Sequence, residues 1–160
     1  AKFIFEEVGY MLEPSEIGCA YGLEQLKKLG TFTKRRDEVT QLHLDFFGKF
    51  SHFFEVPKMN INANSSWFAF PLIVKESAPF TRTDLQIFLE ERNIQTRVIF
   101  TGNIIRQPAF KEIEKKISKG GYPVADRVMA RGFLLGNHHG LTQEMIDHVH
   151  ESVEIFLKKY

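Results

Sequence analysis

Cysteine is nearly absent from this chain: Cys19 stands alone among 160 residues. A single thiol excludes an internal disulfide and a thiolate metal cage, and it cannot hold an iron–sulfur cluster by itself. Charge of one sign is lacking too, with 21 basic against 20 acidic residues and a net charge of +1. That balance gives no bulk attraction to nucleic acid or to an anionic membrane surface. No apolar run approaches the roughly 20 residues that a membrane-spanning helix needs. The opening AKFIFEEVGY lacks the basic-then-apolar plan of a signal peptide, so a cytoplasmic protein is expected. It also lacks an initiator Met, which fits either processing or the interior of a larger protein. There is no GxGxxG, no Walker loop, no HExxH, and no Ser-His-Asp or Cys-His set at motif level. No self-sufficient active site is legible, and neither a catalytic residue nor a metal site is expected here.

What is present is the composition of one globular domain: 43% hydrophobic, 26% charged, with sixteen Phe, enough to bury a core. Glu13-Pro14-Ser15-Glu16 has the proline and acids of a helix start. Gly30 is expected to stop that helix, and a second one is expected from about Phe32 to Phe50. In it Val39, Leu42, Phe46 and Phe50 face inward and Lys34-Arg35-Arg36 face solvent. Gly18 and Gly22 lie four apart on one face. Glycines weaken helices, so two on one face suggest close approach by another element. Trp67–Val74 reads as a strand, with Pro71 requiring an edge or a bulge. Thr81 and Asp84 form a capping box, with Phe80 set to staple onto Leu85, ahead of a helix that ends near Asn93. Gln95–Phe100 is a second strand. Pro108 opens an expected helix over Ala109–Ile117, broken by Gly120-Gly121. Val124–Arg131 is helical, Gly132–Gly136 is a third strand, and Thr142 caps a last helix with an apolar stripe through Ile146, Val153 and Phe156. Helices thus come first, followed by β-α-β-α-α-β-α, a small sheet that needs helices over a face.

The segment Thr96–Pro108, TRVIFTGNIIRQP, is the chemically distinctive one. A buried strand carries Arg97 at its start. A loop permitted by Gly102 then brings an amide, Asn103, and a second guanidinium, Arg106, back toward it. Guanidinium forks suit phosphate and carboxylate oxygens, although ion pairing at the surface is the commoner fate of arginine. His138-His139, between Gly136 and Gly140, reads either as a plain turn or as a loop facing substrate or cofactor. Adjacent imidazoles diverge, which disfavours a shared metal. His148 and His150 sit two apart on a helix, share no face, and are expected to be exposed. His43 and His52 are expected to be structural. The aromatic alternation at Trp67–Phe70 reads as core rather than an RNA-stacking platform, because no basic surface surrounds it.

Four stretches carry a resemblance. GYMLEPSEIGCAYGLEQLKKL resembles the GYN-containing segment and following helix of the DegT/DnrJ/EryC1/StrS sugar aminotransferase family. SWFAFPLIVK with TRVIFTGNIIRQPAF, and the ending GLTQEMIDHVHESVEIFLKK, resemble its branch of nucleotide-sugar 3-dehydratases, such as those acting on CDP-4-keto-6-deoxy-D-glucose in lipopolysaccharide O-antigen synthesis. The resemblance implies an α/β fold: the small C-terminal domain of a fold-type I enzyme using pyridoxal or pyridoxamine phosphate (PLP or PMP). It implies a three- to four-stranded, mostly antiparallel sheet covered by helices and preceded by two long helices. Residues 1–30 would end the large cofactor domain and 31–160 would be the small domain. The N-terminal PLP-binding domain would be absent from this chain, leaving it inactive alone. Homodimerisation would complete each site, and the apolar opening Phe3-Ile4-Phe5 would lie at an interface. By the same resemblance Arg97, Asn103 and Arg106 face a nucleotide-sugar substrate. Gly9 and Tyr10 match the GYN motif, with Met11 where the family has the Asn that reaches the cofactor phosphate. A thioether donates no hydrogen bond, so Tyr10 or a backbone N–H would have to substitute. An aminotransferase, or a non-catalytic interaction module of the same fold, stands as the alternative.

Overall fold

The computed structural model describes residues 7, 9, 10, 12–63 and 65–160; Phe3-Ile4-Phe5 and Met11 lie outside the described residues. Helix α1 runs unbroken over Glu16–Gly48, 33 residues, where two helices were expected. Gly30 does not stop it. A glycine costs a helix about 1 kcal/mol, less than a break would cost in ladder bonds, and no proline follows to force one. Only the second half of α1 joins the core, through Val39, Phe46 and Phe47. In the first half Ile17, Tyr21 and Leu26 stay exposed. A side chain at Gly22 would meet nothing within 4 Å, and one at Gly18 only the nearby Ser15.

Four strands follow: β1 (Phe54–Glu55), β2 (Ala69–Val74), β3 (Arg97–Val98) and β4 (Gly132–Gly136). They form an antiparallel sheet in the order β1-β2-β4-β3. Pro71 sits within β2, opposite Leu134. Because β1 reaches only Ile73 and Val74, the flank beside Pro71 is locally an edge, and a residue without an N–H is accommodated there.

The period of two divides β2 and β4 cleanly. Phe70, Leu72, Val74, Phe133 and Leu135 are buried on one face. Over them lie α1, helix α2 (Arg82–Glu90) and helix α4 (Gln143–Leu157). Leu85, Leu89, Val153 and Phe156 join Phe47, Phe54 and Phe80 in one apolar cluster. Both helix starts are chemically fixed. Thr81 and Asp84 make the reciprocal capping box of α2, and the Thr142 hydroxyl accepts from Met145 N–H at α4. Arg35 and Arg36 are partly buried rather than solvated: Arg35 Nη2 donates to the Leu141 carbonyl at 2.8 Å, tying α1 to the start of α4.

The other face carries Glu55, Ile73, Leu134 and Arg97, which the pairing register sets on one side. Helix α3 (Pro123–Arg131) lies over it, pinned by Arg127 Nη1 on Glu55 Oε1 at 2.7 Å. The helix expected over Ala109–Ile117 is a single 3-10 turn, Pro108–Phe110, followed by exposed chain. Ile113 and Ile117 are each 54% exposed. With no surface to bury, a segment of that length does not hold a helix.

Candidate functional site

The site is built where β3, the edge strand, runs into the 99–107 loop beneath α3. Asn103 is buried, at 4% exposure. Its side-chain oxygen accepts from the Ile105 N–H, while its amide Nδ2 donates to Asp126 Oδ1 at 2.8 Å. Arg106 donates to the same carboxylate twice, Nε to Oδ1 at 3.0 Å and Nη2 to Oδ2 at 2.9 Å. Those bonds, Arg106 first and Asn103 second, hold the Asp126 carboxyl down at about 2. In return they push the Arg106 guanidinium above its usual value. Asp126 was not legible in the sequence as a site residue. It is one acid in the first turn of a short helix, and only the fold brings it across to a loop some 20 residues earlier.

Gly102 explains the sharpness of the loop. Its φ is +63°, and a Cβ there would lie 2.3 Å from Met129 Cβ. Only a residue without a side chain lets the loop lie this close to α3. Gln107 Nε2 closes the loop by donating to the Thr101 carbonyl at 3.0 Å.

Arg97 has a different setting. It is exposed, and among the described residues no hydrogen bond or ion pair engages its guanidinium. Just before it, Thr96 is tied to α2: its N–H and hydroxyl both donate to Glu90 Oε1, at 2.6 and 2.9 Å. These bonds hold the Glu90 carboxyl below its usual range, with Arg97 adding a smaller attraction. The structure therefore joins Asn103 to Arg106 through Asp126, and leaves Arg97 as a cation that no described residue pairs with.

The other candidates separate. Tyr10 is 94% exposed, and among the described residues nothing stands within 4 Å of a side chain at Gly9. His138 accepts the Gly140 N–H on Nδ1 at 3.1 Å, which leaves its proton on Nε2. His139 stacks on Phe32 of α1 with ring centroids 3.8 Å apart, a packing role for that ring. Among the described residues no group of three His, Cys, Asp or Glu is placed to hold a metal.

His150 is not exposed as its spacing suggested. It lies flat on Phe46, centroids 3.9 Å apart, and its Nε2 is 3.0 Å from Nδ1 of the buried His43. Both imidazoles are pushed down to about 4: His43 by burial and then by His150, His150 by burial. His148 differs, exposed with Nε2 at 3.0 Å from the Arg92 carbonyl.

Comparison with known proteins decides the affiliation. The sequence pattern of the DegT/DnrJ/EryC1/StrS aminotransferase family matches residues 1–154. The chain belongs to that family. It is 36% identical over 159 residues to the dTDP-4-dehydro-2,6-dideoxy-D-glucose 3-dehydratase of Saccharopolyspora spinosa, covering 99% of this chain and 34% of that protein. It is 33% identical over 155 residues to the lipopolysaccharide biosynthesis protein RfbH of Salmonella typhimurium, covering 97% of this chain and 35% of that one. Among solved structures it resembles a GDP-4-keto-6-deoxymannose-3-dehydratase holding a trapped PLP-glutamate geminal diamine. The TM-score is 0.83 at 30% identity, over 94% of this chain and 38% of that one. The family member described here thus spans roughly a third of the length of the curated relatives it matches.

Proposed function

We propose that this chain is the C-terminal small domain of a PLP- or PMP-dependent nucleotide-sugar enzyme, a 3-dehydratase of 4-keto-6-deoxyhexoses of the kind used in lipopolysaccharide O-antigen synthesis. The observation that carries the reading is Arg97. An exposed guanidinium that no hydrogen bond or ion pair engages among the described residues is suited to one or two phosphate oxygens of a nucleotide sugar. Asn103 and Arg106 shape that corner through Asp126. Arg106 contributes through the loop's geometry, and its fork is already taken up by the carboxylate.

In this reading residues 1–30 end the large domain and 31–160 form the lobe that closes over the substrate. The exposed apolar first half of α1 would meet the large domain or a second subunit, and the cofactor would be held outside this chain. Arg97 orients the sugar nucleotide, which is a positioning role: its value lies in holding the reacting carbons in place rather than in moving a proton. The setting would be the cytoplasm, and the assembly a homodimer.

The test is an assay in two parts. The protein encoded by the full reading frame, given PMP and a nucleotide-linked 4-keto-6-deoxyhexose, is expected to release water from C3. The 160-residue chain under the same conditions is expected to be inert. Turnover by the chain alone would overturn the reading. Amino transfer by the longer protein would favour the aminotransferase alternative, and a reading frame that begins at Ala1 would favour a non-catalytic module.

A further inference from the structure

Phe100 is the residue that folding does not account for. Ile99 to Gly102 is a β-turn, closed by the Gly102 N–H donating to the Ile99 carbonyl at 3.0 Å. Phe100 is its first corner residue, with φ +46°. Positive φ at the corner of a turn is ordinarily left to glycine, asparagine or aspartate. A bulky aromatic there is a true outlier and strains the backbone. Burial does not offset the strain, because the ring is 78% exposed.

The loop that holds the ring out is rigid on three sides. Gly102 is locked against Met129, Gln107 Nε2 holds the Thr101 carbonyl, and Asn103 is fixed to Asp126. Three residues before the ring stands Arg97. Strained, exposed side chains on over-determined loops gather at binding sites, because a contact fixed in advance loses little entropy on association.

We propose that Phe100 is a substrate-positioning residue: its ring stacks on the planar base of a nucleotide whose phosphates are held by Arg97. This rests on the reading of the chain as a grip for a nucleotide sugar and adds a named contact to it. Aromatic faces accept any base, so Phe100 contributes affinity and orientation and leaves base identity to other groups.

The experiment uses the 160-residue chain with its phenylalanine rings and arginine side chains isotopically labelled, titrated by NMR with CDP, GDP, dTDP and inorganic pyrophosphate. The nucleotides are expected to shift the signals of both Phe100 and Arg97, and pyrophosphate only those of Arg97. Phe100→Gly is expected to weaken nucleotide binding about tenfold, to leave pyrophosphate binding unchanged, and to raise Tm by relieving the turn. Arg97 shifts without Phe100 shifts would overturn this inference and leave the functional reading standing. No shift with any probe would overturn both. A lowered Tm in Phe100→Gly would show the ring working for the fold, and would also overturn it.

Discussion

Arg106 and Asp126 clasp each other through two parallel bonds, at 3.0 and 2.9 Å. This geometry converts a guanidinium of a substrate-like motif into a brace between the 99–107 loop and α3. Removing Asp126 frees Arg106 and leaves the buried Asn103 amide without its acceptor. Asp126→Ala is therefore expected to lower Tm and to speed amide exchange over residues 102–107. The sign with pH follows from the carboxyl being held at about 2, below its ordinary 3.8. The brace is fully present above about pH 4 and fades as pH falls toward 2. Thermal unfolding of the wild type and of Asp126→Asn, at pH 7 and pH 3, checks it: the stability gap between them is expected to narrow at the lower pH.

That brace also marks what the sequence could and could not disclose. Caps are local chemistry, so Thr81 with Asp84 and Thr142 placed α2 and α4 correctly. Alternation exposed β2 and β4, since both strands bury a single face. The Gly102 loop and its two polar partners were legible as a unit. Asp126, the group that organises them, was not, because a long-range carboxylate leaves no spacing signature. Gly30 does not break α1, because one glycine costs less than the ladder bonds a break would lose; Ala109–Ile117 holds no α-helix, because its apolar residues find no surface to bury. Strand β1, two residues long, lies below the length at which any periodicity exists.

His43 and His150 give the fold an acid limit. Both are held near 4, below the ordinary 6.5, so the folded state prefers them neutral and the unfolded chain binds protons first. Their contribution is complete above about pH 6.5. It is lost as pH falls from there toward 4 and changes little below that. For buried His43 the linked loss is on the order of 3 kcal/mol. Urea unfolding at pH 7, 5.5 and 4.5 is expected to show the decline. His43→Leu is expected to flatten it over that interval, and an equally steep profile in the variant would place the acid sensitivity elsewhere.

Gly22 and Gly102 should respond in opposite ways to the same substitution. At Gly22 an added methyl meets open space, so Gly22→Ala is expected to stabilise the isolated chain by roughly 0.5–1 kcal/mol. If that helix face is an approach surface, the same change weakens association in the longer protein. At Gly102 the methyl would meet Met129 at 2.3 Å with φ at +63°, so Gly102→Ala is expected to destabilise by more than about 1 kcal/mol. Denaturant midpoints measured side by side decide both.

The measurement that tests the central claim most directly compares Arg97→Ala with Arg106→Ala, in Tm and in the KM for the nucleotide sugar, using the protein encoded by the full reading frame. Arg97→Ala is expected to leave Tm unchanged and to raise KM by about ten- to a hundredfold, as loss of a charge-assisted contact of roughly 1.5–3 kcal/mol implies. Arg106→Ala is expected to lower Tm as well as impair binding. An Arg97→Ala enzyme with wild-type KM would contradict the assignment of Arg97 as the free cation that grips the substrate.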